Sequence, residues 1–417
     1  MSESEAFLAA ICANPADDLP RLVYADWLDE HDQSNYAEFI RMQCEMARVP
    51  KYDRVWAYAR RDEAWWLDGK PFYGKPPQLP NGLEFVGPYH RGLPYAVRCE
   101  HPDLLLKHAE LIFRIAPIEK LVLAMNNRDE ESWWRFIRMP AFQRFQSLRL
   151  EGRYADLALE ALHALREPTN VKGLELHGAA YDIQQLVRLV QSPFDDRLEN
   201  LSLELTDYEL RAEFFRAPND YARTPPRRRL KTLEYRGIQS DLVSLREMLL
   251  RSSRQTLQDF SYMELHNNNI ISILTSTDFP ELRSLEIHSH QVNSTRILDY
   301  VSNRNGLRAF QLHHQGVVLQ PSLEAFTRSD GLDSMHLLDF SHSTYGNQLA
   351  RALTTSPHLL NLYELRLQSC YLTDEAGIAL MNSPHLKNLI TLNLKGNTFS
   401  SPIIAGLQDR FGEALVL

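Results

Sequence analysis

The sequence predicts an α/β solenoid, a fold in which one strand and one helix recur along the chain. Three observations predict it. A six-residue apolar pattern, L-x-x-L-x-L, returns from about residue 118 onward. Its spacing is regular, and stretches with helical spacing follow several copies. Together these features indicate repeats that stack on one another, and a small all-helical module is expected ahead of them.

The spacing of the pattern is the strongest observation. Between the middle apolar positions of neighbouring copies, nine of the ten steps span 25–28 residues and the remaining step spans 32. Chance does not produce such regularity over a whole chain. The eleven middle positions are Leu121, Leu148, Leu174, Leu201, Leu233, Phe260, Leu285, Phe310, Leu338, Leu365 and Leu392.

Each copy predicts one short strand. The apolar position two residues after the middle one is equally regular, from Leu123 to Leu394, and this alternation gives a strand with one buried face. The segments after Tyr181 and Thr373 have the apolar spacing of a helix. One strand and one helix in each repeat of 25–28 residues is the leucine-rich-repeat unit. Stacked units are expected to share a core, with strands on the concave side and helices on the convex side.

The repeat length resembles that of the ribonuclease-inhibitor type, whose convex face is helical. The last two copies resemble it most, and the motif Ser-Pro-His-Leu recurs one period apart at Ser356 and Ser383. The family has Asn or Cys in the turn after the strand, and Asn126, Cys370 and Asn397 fill that position.

Two departures from the regular pattern predict irregular loops. Several middle repeats have Ala179, Ile238 or His290 at the turn position, and less regular turns are expected there. The 32-residue step reflects an insertion near residues 211–229, where two adjacent prolines precede a basic run. A solvated loop is expected, with a dedicated partner contact as the alternative.

The bulk composition fits a soluble globular protein. The chain has 417 residues, of which 44% are hydrophobic and 24% charged, so a large core is expected. The net charge of -9 disfavours a nucleic-acid partner, because surfaces that bind nucleic acid are normally basic. The cysteines have no metal-ligand spacing, which favours a reducing compartment. They are Cys12, Cys44, Cys99 and Cys370.

The start of the chain lacks the features of a secretory signal. Acidic residues come early, and no basic region precedes a long apolar run. No uninterrupted run of about 18 apolar residues occurs, so no membrane span is expected. A cytoplasmic location is therefore expected.

Residues 1–50 have a different pattern from the repeats. Three amphipathic stretches, at 4–14, 19–31 and 35–49, predict three helices. Pro20 suits the first turn of the second helix. Core positions are expected to include Leu22, Trp27, Leu28, Phe39, Ile40 and Met46.

This module resembles a specific family. The stretch DDLPRLVYADWLDEH from Asp17, followed by AEFIRMQ from Ala37, is similar to the repeat-companion domain that planctomycete bacteria place ahead of leucine-rich repeats. Looser similarity continues through residues 92–123. The resemblance implies a bacterial origin. The companion domain is of unknown function, so no site residue is carried over from it.

The expected domain organisation follows from these patterns. Residues 1–50 form the helical module, and 51–91 form a helix and a Pro/Gly-rich linker, with an aromatic side at Trp56, Trp65 and Trp66. Residues 92–117 are expected to cap the open edge of the array. Residues 118–417 are expected to hold about eleven repeats.

The predicted functional surface is the concave face. Side chains that alternate with the buried leucines point into it, and they form columns along the array. We expect a partner to contact the following set: Glu175, His177, Glu204, Glu234, Arg236, Glu286, His288, Gln311, His313, Asp339 and Arg366.

The carboxylates in these columns suggest the kind of partner. Strands lie about 4.8 Å apart, so like charges in one stripe give a negative field that steers a basic peptide or protein patch. The alternative is that a solvated sheet face is polar in any case. The stripe consists of Glu151, Glu175, Glu204, Glu234, Glu286 and Asp339.

Two histidines on adjacent strands raise further possibilities. His288 and His313, with Glu286, are the residue types that hold a divalent metal, but no further ligand is evident, so no metal site is assigned. The same imidazoles can make partner binding sensitive to pH.

The sequence favours a protein-interaction scaffold that binds a partner protein or peptide on the concave face. Motifs for nucleotide binding, serine hydrolysis and zinc proteolysis are absent, so neither catalysis nor a cofactor is expected. The alternative is an enzyme with an unrecognised site in the N-terminal module or its junction with the array. A nucleic-acid binder using Arg227, Arg228 and Arg229 is a further alternative that the acidic balance disfavours.

Overall fold

Short parallel strands at repeat spacing form the framework of the computed structural model. It describes residues 2–61, 78–178, 181, 185–186, 197–205, 229–237, 249–264, 269–288, 294–314 and 320–417. The chain divides into two compact units. The first unit contains residues 1–50 and 62–230, and the second contains 51–61 and 231–417.

The first unit begins with the predicted helical module. Its helices are α1 (Glu3–Ala13), α2 (Leu19–Glu30) and α3 (Ser34–Arg48). Phe39 and Ile40 of α3 are fully buried, and Leu28 of α2 packs with them. Leu22 and Trp27 are only partly buried at the edge of the same cluster. The prediction of an all-helical N-terminal module is therefore confirmed.

A short helix follows the module in sequence. Helix α4 (Arg54–Arg61) includes Trp56 and belongs to the second unit. The other two tryptophans of the predicted aromatic side, Trp65 and Trp66, lie outside the described residues.

The strands of the first unit follow one another in chain order. Strand β1 pairs antiparallel with β2, and the later strands pair in parallel. The strands are β1 (Leu83–Phe85), β2 (Ala96–Cys99), β3 (Lys120–Ala124), β4 (Ser147–Glu151), β5 (Gly173–His177) and β6 (Asn200–Leu205). The helices between them are α5 (Pro102–Ile115), α6 (Glu130–Phe136) and α7 (Ala155–His163), and a 3₁₀ helix spans Pro140–Arg144.

The second unit repeats the same arrangement, with consecutive strands parallel. Its strands are β7 (Thr232–Gly237), β8 (Asp259–Glu264), β9 (Ser284–His288), β10 (Ala309–His313), β11 (Leu337–Asp339), β12 (Glu364–Arg366), β13 (Thr391–Asn393) and β14 (Leu415–Val416). Its later helices are α8 (Asn269–Ser276), α9 (Ser294–Ser302), α10 (Gln320–Thr327), α11 (Gly346–Thr354), α12 (Asp374–Asn382) and α13 (Ser401–Phe411). Short 3₁₀ helices span Asp330–Ser334 and Gly412–Ala414.

The strand register confirms the predicted leucine-rich-repeat solenoid. In the second unit Leu338 lies opposite Leu365, which lies opposite Leu392, and all three are fully buried. The same stacking occurs in the first unit from Leu121 to Leu148. Within their units, strands β2 and β14 extend the strand pairing beyond the eleven predicted copies, since each pairs in parallel with its neighbour.

The asparagine turn is best formed at the end of the array. Asn397 Oδ1 accepts hydrogen bonds from the backbone N–H groups of Cys370 (2.9 Å) and Leu372 (3.0 Å). Its Nδ2 donates to the carbonyls of Leu367 (2.7 Å) and Leu394 (2.8 Å). One side chain thereby satisfies backbone groups of two repeats.

The turn position does not have this geometry in every repeat. Asn126 is exposed, whereas Cys370 is fully buried and its Sγ contacts the Phe340 carbonyl at 3.1 Å. The middle turns at Ala179, Ile238 and His290 lie outside the described residues, as does most of the insertion near 211–229. The domain boundaries expected after residues 50, 91 and 117 remain predictions.

The described helices include none that is both long and apolar enough to cross a membrane.

The N-terminal helices pack directly on the start of the first unit's sheet. The Tyr36 hydroxyl donates to the Gly92 carbonyl (3.1 Å), and Arg91 donates to the Ala16 carbonyl (2.6 Å). Gly92 has a positive φ of 81°, and a Cβ atom there would lie 2.5 Å from Cγ1 of Ile40. Only glycine fits this close approach without strain.

This close approach gives a stability prediction. We expect Gly92→Ala to destabilise the first unit by about 2–4 kcal/mol, because a left-handed alanine and the overlap with Ile40 both raise the energy of the folded state. Equilibrium urea unfolding, followed by tryptophan fluorescence to which the buried Trp133 of this unit contributes, measures this. Gly87→Ala is the matched control, since φ is also positive (76°) but nothing lies within 4 Å of the added Cβ. Equal losses for the two variants would contradict the packing argument.

Candidate functional site

The outward side chains of the strands form the predicted columns. In the second unit, Glu234 lies opposite Ser261 and Ser261 opposite Glu286, in the column nearest the middle leucines. One step along, His288 lies opposite His313. We call these outward side chains, together with the outward residue just before each middle leucine, the concave face. Most of the predicted site residues are partly exposed there, whereas Arg236 is exposed and Asp339 is buried.

Gln311 and the first unit's site residues occupy the same kind of position. Gln311 lies between Glu286 and Asp339, in the column of the second unit that also holds Glu234 and Ser261. Glu175 lies opposite Ser202, and His177 lies opposite Glu204, on strands β5 and β6. Strand alternation therefore placed the predicted residues on one face within each unit.

Carboxylates of the first unit's concave face each contact a base. Lys120 Nζ lies 2.5 Å from Glu175, and His177 Nδ1 lies 3.2 Å from Glu204. Glu151 accepts hydrogen bonds from two arginines, Arg98 and Arg149, at 3.1 and 2.9 Å. The stripe is thus built of ion pairs, so the local negative field is weaker than isolated carboxylates would give.

The second unit has the same alternation of charge. Arg236 lies 2.6 Å from Glu234, and His288 Nε2 lies 2.6 Å from Glu286. Burial alone would raise the pKa of Glu286, but His288 and other hydrogen-bonding neighbours more than offset this and lower it. Glu234 and Arg236 are 31% and 43% exposed, so their pair is open to solvent.

Asp339 is the most deeply buried of the predicted site residues. Burial alone would raise its pKa, but His313, Arg366 and Ser341 hold the pKa of this carboxyl well below its usual range. Arg366 NH1 lies 3.2 Å from Asp339, and the Ser341 backbone N–H donates to Asp339 at 2.9 Å. Asp339 therefore organises the surface as a buried anion and is not itself open to a ligand.

Histidines stack along the same surface. The rings of His288 and His313 lie 4.1 Å apart between centroids, and His342 lies 6.2 Å from His313. Across the described ranges, no group of three or more His, Cys, Asp or Glu side chains is arranged to hold a metal ion. The stacked side chains of His288 and His313 are 24% and 19% exposed.

Helix α4 lies on the concave face of the second unit. Arg60 donates to both carboxylate oxygens of Glu364, with Nε at 3.1 and 3.0 Å and NH2 at 2.6 Å. Glu364 also accepts from Arg366 Nε at 2.6 Å, and its side chain is only 2% exposed. Burial lowers the pKa of Arg60, and Glu364 opposes that shift. A buried carboxylate thus lies between two guanidinium groups.

Further contacts of the 51–61 segment involve its backbone and an aromatic ring. The Thr391 hydroxyl donates to the Ala57 carbonyl at 2.8 Å, and both groups are buried. Ala57 and Ala59 are almost completely buried, so their small side chains let the helix approach strand β13 closely. Tyr52 packs edge-on to His336, with centroids 6.3 Å apart.

The sequence did not lead us to the column of residues that contacts α4. Glu364 and Thr391 stand one residue before the middle leucines, so the same alternation that pointed to Arg366 also points to them. Arg60 and Tyr52 had no such signal, because neither lies in a repeat. The helix around Trp56 was expected, but its place on the array was not.

The junction of the N-terminal module with the first strands is packed with buried groups. Arg21 is 1% exposed, and the largely buried Asp18 lies 3.5 Å from Arg91 NH1 and 2.8 Å from Nε of the half-exposed Arg48. Burial raises the pKa of Cys12 to about 11 and that of Cys44 to about 12. A reactive thiol needs a lowered pKa, so these cysteines have the character of core residues.

Among known proteins, only solved structures are found to be similar to this chain. No protein-family model matches the chain, and no curated protein matches it significantly. Among solved structures, the yeast Rad7–Elc1 complex has 13% identity and a TM-score of 0.41, covering 100% of this chain and 95% of the other. A Bacteroides fragilis protein has 14% identity and a TM-score of 0.39, with coverages of 74% and 78%. A Listeria monocytogenes internalin has 14% identity and a TM-score of 0.37, with 70% and 78%. At these values the likeness assigns no function to the chain.

The buried carboxylate gives the second prediction. We expect Glu364→Ala to destabilise the second unit by about 3–5 kcal/mol, because Arg60 then remains buried without its anion and Arg366 keeps only Asp339. Glu234→Ala is the matched control, and we expect it to cost about 0–1 kcal/mol because its pair with Arg236 is solvent-exposed. Urea unfolding of both variants measures the difference. Similar losses would mean that Glu364 is no more important to stability than a surface carboxylate.

Asp339 gives a prediction on pH. Its pKa in the folded chain lies below the unfolded value of about 3.9, so the unfolded chain binds more protons as the pH falls. The stabilisation is therefore present above about pH 4 and is lost as the pH falls further. We expect Asp339→Asn to be destabilising at pH 6 and much less so at pH 3. Urea unfolding at a series of pH values tests this, and a difference independent of pH would contradict it.

Proposed function

We propose that this chain is a protein-interaction scaffold that binds a partner protein or peptide on the concave face of its repeat array, without catalysis. One observation carries the proposal: the second unit already holds a peptide segment from a distant part of the chain on that face. Residues 51–61 contact it through Arg60 and the Ala57 carbonyl, although about 300 residues of sequence separate them from their partners, Glu364 and Thr391. A face that binds one helical segment has the chemistry to bind another.

The rest of the second unit's face supports the proposal. Away from α4, partly exposed side chains of mixed chemistry line neighbouring strands: the acid Glu286, the amide of Gln311, the sulfur of Met263 and the stacked rings of His288 and His313. Protein interfaces combine such groups, with aromatic and Met side chains supplying contact area and charged pairs supplying orientation. A basic partner is favoured because Glu234 and Glu286, 31% and 28% exposed, can exchange their pairs with Arg236 and His288 for a cation of the partner.

Affinity capture tests the proposal. We expect the full-length chain, immobilised and exposed to a lysate of its native cell, to retain a set of proteins. Glu234→Lys combined with Glu286→Lys should remove most of that set, because each change replaces an attractive charge on the concave face with a repulsive one. Mass spectrometry identifies and quantifies the retained proteins.

The control has the same change in net charge elsewhere. Asp299→Lys combined with Asp409→Lys places the new charges on exposed positions of helices α9 and α13. This variant should retain the same proteins as the unmodified chain. If both double variants retain them equally, the concave face is not the binding surface.

A further inference from the structure

Helix α4 reaches the array through a guanidinium group. Three donor–acceptor contacts of 2.6–3.1 Å join Arg60 to the two oxygens of Glu364. A planar guanidinium matches a carboxylate in this way, whereas the point charge of a lysine does not. The site therefore discriminates between the two basic side chains as well as selecting for positive charge.

The surroundings of Glu364 also select for helix shape. Thr391 donates to the backbone of α4 at Ala57, three residues before Arg60, and Ala59 is completely buried. Larger side chains at these positions would hold the helix away from the strands and break the hydrogen bond. The Arg60 guanidinium carbon also lies 5.7 Å from the centre of the Trp56 ring on the preceding turn. A fitting helix thus combines small residues with an arginine, as α4 does.

A second cation, Arg366, keeps Glu364 paired when α4 dissociates. Arg366 Nε lies 2.6 Å from Glu364, and Arg366 belongs to the same strand. When Arg60 leaves, Glu364 keeps Arg366 as a partner, but Arg366 also pairs with Asp339 at 3.2 Å, so one carboxylate is then in excess and an incoming arginine would neutralise it. The carboxylate is therefore suited to exchange one helix for another.

We propose that the concave face around Glu364 and Thr391 is the docking site for an arginine-bearing helix of a partner protein, and that residues 51–61 are the internal occupant which this helix displaces. The inference rests on the proposed function and names the chemistry of its partner. Because α4 is part of the same chain, it competes at an effective concentration of the order of millimolar. A free helix therefore binds weakly until α4 is loosened or a second contact holds the partner.

A peptide-binding experiment with the full-length chain tests the inference. The probe is a fluorescent peptide with the sequence of residues 49–63, VPKYDRVWAYARRDE. We expect fluorescence anisotropy to show weak binding to the unmodified chain. Binding should be at least about 10-fold tighter to an Arg60→Gln chain, in which the internal occupant is weakened. Adding Glu364→Gln to that chain should abolish binding, and a peptide carrying Arg60→Lys should bind at least about 10-fold more weakly.

Two further measurements keep the result interpretable. Circular dichroism and urea unfolding establish that each variant is folded. If Arg60→Gln is not, Tyr52→Ala loosens the same segment at its other contact, His336, and should also tighten peptide binding. Equal peptide affinity in the unmodified and loosened chains, or binding that ignores Glu364→Gln, overturns the inference. The capture experiment at Glu234 and Glu286 is independent of this one, so the scaffold function can stand while the arginine-helix partner fails.

Discussion

Alternate burial along short parallel strands is the constraint on which the rest of the structure depends. Each strand places its leucines in the core and passes its backbone hydrogen bonds to the neighbouring repeat. Where a strand begins, one carbonyl accepts hydrogen bonds from two N–H groups of the next repeat. The N–H groups of Tyr363 and Glu364 both donate to the His336 carbonyl, at 2.9 and 3.0 Å. The N–H groups of Ile390 and Thr391 both donate to Tyr363 in the same way. No repeat can satisfy its backbone alone, so each depends on the next.

The same constraint explains the electrostatics of the concave face. Because the register is fixed, outward side chains of neighbouring strands stand about 4.8 Å apart and cannot move away from one another. Carboxylates so placed are tolerated when a base stands beside them, and Glu175, Glu234 and Glu286 each have one. At Glu364 the compensation comes partly from outside the sheet, through Arg60. The concave face is therefore a mosaic of pairs, and its specificity depends on which pair a partner replaces.

The leucine spacing was sufficient to predict the repeats, because the buried positions recur at the same places in each repeat and their apolar residues are visible in the sequence. The outward columns followed from the same alternation, and His288 and His313 do stand side by side. Strand β14 was not predicted, since Leu415–Val416 is too short to show a period. The turn residues were predicted unevenly: Asn397 bonds two repeats, whereas Asn126 has the same place in the pattern but is exposed. The contact of Arg60 with Glu364 had no sequence signal, because a pairing over 304 residues depends on tertiary structure alone.

The docking of residues 51–61 has a consequence for biosynthesis. Their partners Glu364 and Thr391 are synthesised more than 300 residues later. At about 5–20 residues per second, ribosomes leave α4 without its site for roughly 15–70 s. During that interval Arg60, Ala57 and Ala59 lack the partners that bury them in the folded chain. The last repeats to emerge therefore complete a contact that begins near the start of the chain.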